Sequence, residues 1–389
     1  MIKKIIREIQ SCYSFPVHIL LDHGCGKNFG DIAMLEAVTR KLCSVFPTAT
    51  IAIVGHPPVD ELLRTEPRIR VTGTQNIDAD AHDMLFVCGG GNLTELFARE
   101  VHRRCDNMEA FLRKKKAVVL TGQQLGPFQS KDPAERLKHC LRQATFVGVR
   151  DIDSLRFCEE AGIPNENFGM TGDDSLGLAP ALASNIDAIL KENSLERGKF
   201  LAINVRLGSY VPEHREHLSL IAHIFDALSE QLSLPMLFVP ISLNSFDSDR
   251  EAATELKTMM LRSFTVLETS NLEASDIKGI LGAAYGAVGT SWHFCTFTLS
   301  MGKAAVCLYS GEYYGQKGRG LASFWGDERL AIQLPEEKPA LVAQSILQTF
   351  SNQALQKNVL EKTKQAERIW NTFFEETLPV LTKTHRGEV

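Results

Sequence analysis

Short apolar runs alternate along the chain with longer segments in which apolar residues recur at helical spacing. Runs such as residues 17–21 and 50–54 have the length and the aliphatic content of buried strands. The segment that begins near Asp31 shows instead the spacing of a helix with one buried face. Because strands alternate with helices in this way, the pattern predicts an α/β fold with a parallel, doubly wound sheet.

The alternation is interrupted once, by a polar stretch after Thr171, and a second series of strands begins at Phe200. A chain of 389 residues suggests two domains, on a prior of about 100–200 residues per domain. The prediction is therefore two α/β halves of similar size, each with a parallel sheet, and a cleft between them. The predicted boundaries are 1–178 for the N-terminal domain, 199–350 for the C-terminal domain and 351–389 for a C-terminal helical segment.

The composition limits the binding partners and the cellular compartment that can be expected. A net charge of -5 gives no reason to expect binding to nucleic acid. The nine cysteines are scattered, without a CxxC pair, which favours reduced thiols in a cytoplasmic protein over a disulfide framework. No apolar run reaches the roughly 18–20 residues that a membrane helix needs, so no transmembrane segment is expected.

The N-terminus is basic and amphipathic, with Ile2, Ile5, Ile6 and Ile9 on one helical face. Such a helix is expected to pack on the protein's own core, because about ten residues bind lipid weakly without a second anchor. Peripheral contact with the inner face of a membrane is the alternative.

A glycine-rich turn follows the buried strand predicted for residues 84–88. It consists of Gly89, Gly90, Gly91 and Asn92. Consecutive glycines are conformationally costly, so this turn is expected to bring bare backbone close to a ligand or to the facing domain. A plain tight turn is the alternative.

Two further turns are expected at the same edge of the first sheet. Asn28 and Asp31 close the first strand-to-helix turn, where glycines let backbone amides approach an anion at a helix N-terminus. The spacing matches neither a dinucleotide fingerprint nor a Walker loop, and Asp31 could simply cap its helix. Gln123 follows another strand and would face the same crevice.

Two arginines directly follow buried strands, Arg150 in the first half and Arg206 in the second. Each would place a guanidinium at the carboxyl edge of a sheet, and a planar fork of donors matches a carboxylate or a phosphate. The alternative for each is a salt bridge with a nearby acid, for Arg150 either Asp151 or Asp153.

The stretch 286–320 reads as strand, turn, helix, strand and polar loop. His293 lies in the first turn of the predicted helix, and the loop carries Lys317 and Arg319. A histidine and two cations at the carboxyl edge of a parallel sheet suit an anionic small molecule. The alternatives are that His293 only caps its helix and that Lys317 is solvated.

No metal or cofactor is expected. His214 and His217 have an HxxH spacing, but no third ligand is in view, and no HExxH occurs.

Taken together, the motifs NFGD, VCGGGNL, GQQLGP and VRDIDS, with the late histidine and a Y-x-x-K segment from Tyr314 to Lys317, resemble the polysaccharide pyruvyl transferase family. The resemblance implies a GT-B-like fold of two Rossmann-like domains. It also implies transfer of a pyruvyl group from phosphoenolpyruvate to a sugar hydroxyl or hydroxyl pair, usually with formation of a ketal. The acceptor would be a cell-surface glycan or its lipid-linked precursor.

The resemblance also assigns roles to individual residues. Arg150 and Arg206 match arginines that hold the phosphate and the carboxylate of the donor. His293 matches the general acid, and Lys317 matches a donor-binding lysine. Asp31 and the glycine-rich turn match the N-terminal-domain face that handles the acceptor.

One position departs from the family pattern, in which an Arg-x-His commonly precedes the second-domain helix. Here the arginine is replaced by Ser291. Either Arg319 or another cation substitutes, or the donor differs, or activity is lost. Two other functions therefore stay open: a nucleotide-sugar-dependent GT-B glycosyltransferase or epimerase, and a non-catalytic carbohydrate-binding or scaffold member.

Overall fold

The computed structural model describes residues 17–24, 26–55, 57, 59–74, 77–334 and 338–386. The amphipathic face predicted at the N-terminus lies outside these residues. The chain divides into two compact units. The first comprises residues 1–26, Asp31–Leu178 and Ala366–Val389, and the second comprises Lys27–Gly30 and Ala179–Gln365.

The first unit is built on one sheet of eight parallel strands. In chain order they are β1 (His18–Asp22), β2 (Thr50–Val54), β3 (Ile69–Thr72), β4 (Met84–Val87), β5 (Gly90–Leu93), β6 (Ala117–Leu125), β7 (Phe146–Val149) and β8 (Phe168–Met170). The spatial order is β3-β2-β1-β4-β6-β7-β8, with β5 paired to β6. The order reverses between β1 and β4, where Leu20 lies opposite Leu85. Such a reversal opens a crevice at the carboxyl ends of the two strands.

In the described part of the first unit, five helices connect these strands. They are α1 (Phe29–Val45), α2 (Asp60–Thr65), α3 (Ala98–Arg113), α4 (Lys131–Gln143) and α5 (Ile152–Glu160). All residues of β4 and β6 are buried, and the inner faces of α3 and α4 pack their apolar side chains into the same core. The sheet therefore has the near-continuous apolar strands that a parallel sheet covered on both faces requires.

The second unit repeats the plan with six parallel strands. They are β9 (Leu201–Asn204), β10 (Met236–Phe238), β11 (Thr265–Val266), β12 (Gly286–Gly289), β13 (Ala305–Tyr309) and β14 (Ala331–Gln333). The spatial order is β11-β10-β9-β12-β13-β14, so the reversal falls between β9 and β12. Two parallel-sheet α/β domains confirm the predicted fold class.

The remaining helices follow in chain order. They are α6 (Ala183–Glu192), α7 (Pro212–Glu216), α8 (Leu218–Leu232), α9 (Asp249–Met259), α10 (Ala274–Ala283), α11 (Trp292–Ser300), α12 (Gly311–Trp325), α13 (Pro339–Ser351), α14 (Gln353–Thr372) and α15 (Leu378–Arg386). A π-helical turn, Phe373–Thr377, joins the last two. Among the described residues, no helix combines the length and the apolar character needed to cross a membrane.

The segment with Lys317 and Arg319 was predicted to be a loop, and this prediction was wrong, because both residues lie in helix α12. Glycine disfavours helix by about 1 kcal/mol per residue, so a sequence with several glycines reads as a loop. Here a Cβ at Gly318 would lie 2.3 Å from the side chain of Tyr309. The glycine therefore lets the helix approach β13 closely, and that packing overrides the local propensity.

Helix α6 lies in the polar stretch that reads as a linker in the sequence. It contributes only two buried side chains, Ile186 and Leu190, one turn apart. Two apolar positions are too few to show helical periodicity in a sequence.

The last residues of the chain belong to the first unit. Trp370, Phe373 and Phe374 are buried there, and Phe374 stacks on Phe86 of β4 with ring centroids 5.7 Å apart. The C-terminal segment thus supplies aromatic side chains to the core of the first sheet.

Candidate functional site

His293 lies in the first turn of helix α11, as predicted, directly after the turn that leaves β12. Ser291 occupies the N-cap position without a side-chain cap hydrogen bond. The imidazole is only 8% exposed, and its ring centroid lies 6.0 Å from that of Phe297, one turn further along the helix. Because β12 borders the reversal in strand order, His293 stands at the edge where parallel sheets bind ligands.

Lys27–Gly30 belongs to the second unit and packs on this edge. Asn28 forms an antiparallel bridge with Ser242, in the loop after β10. The side-chain oxygen of Asn28 accepts a hydrogen bond from the Gly30 amide at 2.9 Å. The predicted binding residue Asn28 therefore shapes its own turn, and Gly30 lies directly against His293.

Arg206 follows β9, and its backbone amide donates to Thr290 Oγ1 at 2.8 Å. Its guanidinium is ion-paired with Asp249, Nε to Oδ1 at 2.5 Å, and with Asp247, Nη1 to Oδ2 at 3.3 Å. The residue is 5% exposed. The salt-bridge alternative is thus present in the structure, with acids about 40 residues further along the chain.

Asp249 serves several partners at once. Its Oδ2 also accepts from Asn204 Nδ2 at 2.9 Å and from the backbone amides of Ile241 and Ser242 at 2.7 and 3.0 Å. The Asp249 carboxylate therefore accepts from a guanidinium, a side-chain amide and two backbone amides. It fixes Arg206 and the loop after β10 together.

Aromatic side chains connect Arg206 to Lys317. The hydroxyl of Tyr210 donates to Asp247 Oδ2 at 2.9 Å, and burial raises the pKa of Tyr210 to about 12. Tyr210 meets Tyr313 edge to face, with centroids 6.2 Å apart. The ammonium of Lys317 lies 4.0 Å from the centroid of Tyr313 and 4.7 Å from that of Tyr314. This cation–π contact holds a partly exposed charge in place on α12.

His214 lies beside the same aromatic cluster. Its Nδ1 is 3.0 Å from the carbonyl oxygen of Arg206, and its ring centroid is 4.3 Å from that of Tyr314. Burial lowers the pKa of His214 to about 4, so the ring is neutral at physiological pH. Among the described residues no three His, Cys, Asp or Glu side chains form a group that could hold a metal ion.

Arg319 also lies on α12 but is exposed. A Cβ on Gly315 would lie 2.9 Å from its Nη1, so the guanidinium is folded back along the helix surface. Ser291 is buried at the start of α11.

In the first unit, Arg150 follows β7 and is 1% exposed. Its Nη1 pairs with Asp173 at 2.8 Å, and its Nη2 donates to Gln124 Oε1 at 3.0 Å. Asp151 instead caps α5, where it accepts from Ser154. The structure thus shows an ion pair between Arg150 and an acid 23 residues further along the chain.

The glycine-rich turn after β4 is shaped by a buried acid. The Gly89 amide donates to Asp174 Oδ2 at 2.8 Å, and a Cβ on Gly89 would lie 2.9 Å from that oxygen. Gly90 and Gly91 begin β5, together with Asn92. The carboxylate of Asp174, within the same unit, thus accounts for the bare backbone at Gly89.

Asp31 and Asn92 converge at the crevice of the first sheet. A Cβ on Gly24, after β1, would lie 3.4 Å from Asp31 Oδ1 and 3.6 Å from Asn92 Nδ2. The side-chain oxygen of Asn92 is buried and makes no hydrogen bond with the described residues. Gln123, by contrast, turns inward, and its Nε2 donates to the carbonyl oxygen of Cys88 at 2.8 Å.

Sequence reasoning did not identify Asp174, a buried acid that accepts several hydrogen bonds within the first unit. Its oxygens also accept from Thr121 Oγ1 at 2.8 Å and from Trp370 Nε1 at 3.0 Å. Burial raises the pKa of Asp174 to about 6. The signal in the sequence is the pair Asp173-Asp174 within a stretch read as a linker.

A second missed cluster surrounds Asp22 at the end of β1. Arg103 holds its carboxylate with two bonds of 2.8 and 2.9 Å, and Asn107 adds a third of 2.8 Å. Arg104 is fully buried, 3.8 Å from Asp22, and its guanidinium makes no hydrogen bond with the described residues. Although burial acts to raise it, the charges of Arg104 and Arg103 leave the pKa of Asp22 below its ordinary value.

A cavity of about 480 Å³ opens along one side of α3, and none of the site residues predicted from the sequence lines it. Its lining residues are Thr74, Ile77, Arg99, Arg103, Asp106, Asn107 and Ala110.

A family model described as polysaccharide pyruvyl transferase matches residues 28–312. The matched region contains the NFGD turn, the glycine-rich turn, both arginines and His293. No curated protein sequence matches the chain.

Several solved structures share the fold, among them two described as UDP-GlcNAc 2-epimerases and one described as a UDP-glucosyltransferase. The UDP-GlcNAc 2-epimerase from Methanocaldococcus jannaschii has a TM-score of 0.61 at 12% identity, over 91% of this chain and 98% of that one. The UDP-GlcNAc 2-epimerase from Neisseria meningitidis, bound to UDP-GlcNAc, has a TM-score of 0.58 at 12% identity, over 95% and 100%. A UDP-glucosyltransferase from Polygonum tinctorium has a TM-score of 0.56 at 12% identity, over 95% and 99%. At this identity the likeness shows the GT-B fold alone.

Proposed function

The chain belongs to the polysaccharide pyruvyl transferase family, and from that membership we propose that it transfers a pyruvyl group from phosphoenolpyruvate to a sugar hydroxyl. The acceptor is a cell-surface polysaccharide or its lipid-linked precursor, and the product is a ketal. The observation that carries the proposal is the position of His293, held in the first turn of α11 at the reversal of the second sheet.

The chemistry requires an acid beside an anionic donor. His293 gives a proton to the methylene carbon of phosphoenolpyruvate, which makes the adjacent enol carbon electrophilic. A sugar hydroxyl adds to that carbon and loses its proton, and the carbon–oxygen bond to the phosphate then breaks, with the electron pair leaving on phosphate. A second hydroxyl of the same sugar adds to the resulting cation and loses its proton, which closes the ketal.

Cations of the second unit support binding of the donor. Lys317 is partly exposed on α12, and the rings of Tyr313 and Tyr314 hold its ammonium in place. In this proposal Lys317 binds the donor directly. Arg206 is paired with two acids of its own, and through Asp249 it orders the loop that packs beside His293.

The acceptor is assigned to the crevice of the first unit. Asp31 and Asn92 converge there, and the buried side-chain oxygen of Asn92 suits a hydroxyl donor. Carboxylate and amide oxygens both accept hydrogen bonds, which is what a sugar hydroxyl donor requires.

Calorimetric titration with phosphoenolpyruvate, and separately with a panel of nucleotide sugars, tests the donor. We expect saturable binding of phosphoenolpyruvate that Lys317→Ala weakens about tenfold or more, the loss of one charge-assisted bond of about 1.5–3 kcal/mol. His293→Ala should keep that affinity and lose turnover. Equal loss of binding and turnover in His293→Ala would remove the general-acid role.

A nucleotide-sugar donor is the second candidate, and Ser291 is the observation that favours it. The family arginine that Ser291 replaces is one of the cations that hold phosphoenolpyruvate. Saturable binding of a nucleotide sugar without binding of phosphoenolpyruvate would make a GT-B glycosyltransferase or epimerase the better description. Binding of neither would point to a non-catalytic member.

A further inference from the structure

The first turn of α1 leaves no space between Gly30 and the imidazole of His293. A Cβ added to Gly30 would lie 2.0 Å from both Cγ and Nδ1 of His293 and 2.6 Å from Cε1. Real Cβ atoms do not approach other heavy atoms closer than about 3.0 Å. The ring therefore occupies the volume that any side chain at residue 30 would need.

Backbone strain does not explain this glycine. Gly30 is not among the glycines with positive φ, and it lies in the first turn of a regular helix. Glycine in a helix otherwise costs about 1 kcal/mol relative to alanine. The requirement for glycine here is thus one of space, and the space is filled by His293.

The turn that presents Gly30 is anchored on the loop after β10. The amide of Phe29 donates to the carbonyl oxygen of Ile241 at 2.9 Å, and the amide of Leu243 donates to that of Lys27 at 2.7 Å. The Lys27 amide also donates to the side-chain oxygen of Asn244 at 2.8 Å. Three hydrogen bonds over four residues hold the surface behind the imidazole in a defined position.

The hydrogen bonds that hold this turn on the loop after β10 extend to Arg206. Asp249 accepts from the backbone amide of Ile241, the residue that also accepts from Phe29, and it pairs with the guanidinium of Arg206. One continuous set of hydrogen bonds therefore connects the arginine at the end of β9 to the turn that bounds His293.

We propose that Gly30 is a positioning residue for His293: its bare backbone, held by the loop after β10, sets where the imidazole stands. The claim that Gly30 sets the position of the imidazole rests on the contact alone. The claim that this position matters for the reaction rests on the proposed function, in which His293 is the acid. A misplacement of about 1 Å in an acid that must reach a single carbon can cost about 100-fold in rate.

A thermal double-mutant cycle tests the contact without reference to activity. Gly30→Ala should lower the Tm of the protein, because the new methyl group displaces the ring. In a His293→Ala background the overlapping ring atoms are gone, so Gly30→Ala should leave the Tm unchanged or raise it slightly. Equal losses in the two backgrounds would overturn the proposal.

Gly169→Ala provides the matched control. A Cβ there meets only the ring of Phe146, at an ordinary 3.8 Å, and Gly169 has no positive φ. Its effect on the Tm should be the same with and without His293.

Two further measurements address positioning. The imidazole NMR signal of His293, assigned by its loss in His293→Ala, should shift in Gly30→Ala and stay in place in Gly169→Ala. With phosphoenolpyruvate, Gly30→Ala should lower kcat about 10–100-fold and change the donor Kd less than about twofold. An unshifted signal, or kcat at the wild-type level, would overturn the positioning role. A wild-type protein that neither binds nor turns over phosphoenolpyruvate would count against the proposed function alone, since the cycle and the NMR signal are independent of it.

Discussion

The carboxyl group of Asp174 should make the first unit less stable as the pH rises toward neutrality. The group is fully buried, and burial raises its pKa to about 6 from an ordinary value of 3.8. Hydrogen bonds from Gly89, Thr121 and Trp370 favour the charged form and oppose that shift. The folded state therefore keeps a proton on Asp174 in a pH range where the unfolded chain has released it.

The sign and size follow from the difference between the two pKa values. Between about pH 4 and pH 6 the folded state binds more protons than the unfolded state, so the free energy of unfolding falls as the pH rises. A difference of about two pKa units corresponds to roughly 3 kcal/mol in total, and a little under half of it is lost between about pH 5 and pH 7.

Asp174→Asn removes the titration while keeping the shape of the side chain. The amide has one acceptor oxygen in place of two, so one donor loses its partner, with a cost of about 1–3 kcal/mol that does not depend on pH. Unfolding by urea can be followed through Trp370 in a background where Trp292 and Trp325 are replaced by phenylalanine, since the chain has three tryptophans. We expect the stability advantage of the wild type over Asp174→Asn to shrink by about 1 kcal/mol between about pH 5 and pH 7.

Asp132→Asn is the matched control, because the side chain of Asp132 lies in the same unit and is 86% exposed. Its stability difference from the wild type is measured at the same pH values and subtracted as the effect of a surface carboxylate-to-amide change. A difference between wild type and Asp174→Asn that stays constant with pH after this subtraction would refute the reasoning, since Asp174 would then titrate alike in both states.

Two further predictions concern packing and buried charge. Gly318→Ala should lower the Tm of the second unit and cost about 1–3 kcal/mol of its free energy of unfolding, because the methyl group would lie 2.3 Å from the side chain of Tyr309. Calorimetry that shows the stabilisation usual for Gly→Ala in a helix would contradict this packing. Arg104→Met should leave the free energy of unfolding in urea nearly unchanged or raise it, because Asp22 keeps its two hydrogen bonds to Arg103. Arg103→Met should lower the free energy of unfolding by about 3–5 kcal/mol. Equal losses in the two variants would show that both arginines share the pairing with Asp22.

The fold was predictable from the sequence because buried parallel strands are short, apolar and regularly spaced. Strand β2, for example, begins and ends at the residues that the pattern indicates. What the pattern could not show depends on distant partners. The glycines of α12 suggest a loop until Tyr309 is seen beside Gly318.

In the candidate site, too, some features were predictable from local sequence and others depend on distant residues. His293 could be placed from local signals, since a strand, a Gly-Thr-Ser turn and a helix start are adjacent in sequence. The acids of Arg206 could not, because Asp249 reaches it from the start of another helix. The contact of Gly30 with His293 joins residues more than 260 positions apart, and no local propensity reports on it.

The return of the C-terminal segment to the first unit has a consequence for the order of synthesis. Gly177 leaves room for the ring of Trp370, and Phe86 and Phe146 receive Phe374 and Phe373. At a translation rate of about 5–20 residues per second, the ribosome adds these aromatic residues roughly 10–40 s after it has finished the first unit's last strand.

The half of the protein that is made first is therefore the one that is completed last. During that interval the apolar surface of the nascent first sheet lacks its natural cover, while every residue of the second unit is added before the covering segment emerges. A ribosome that stalls or terminates before residue 366 would leave a finished second unit attached to an open first one, and such a product is a natural substrate for chaperones.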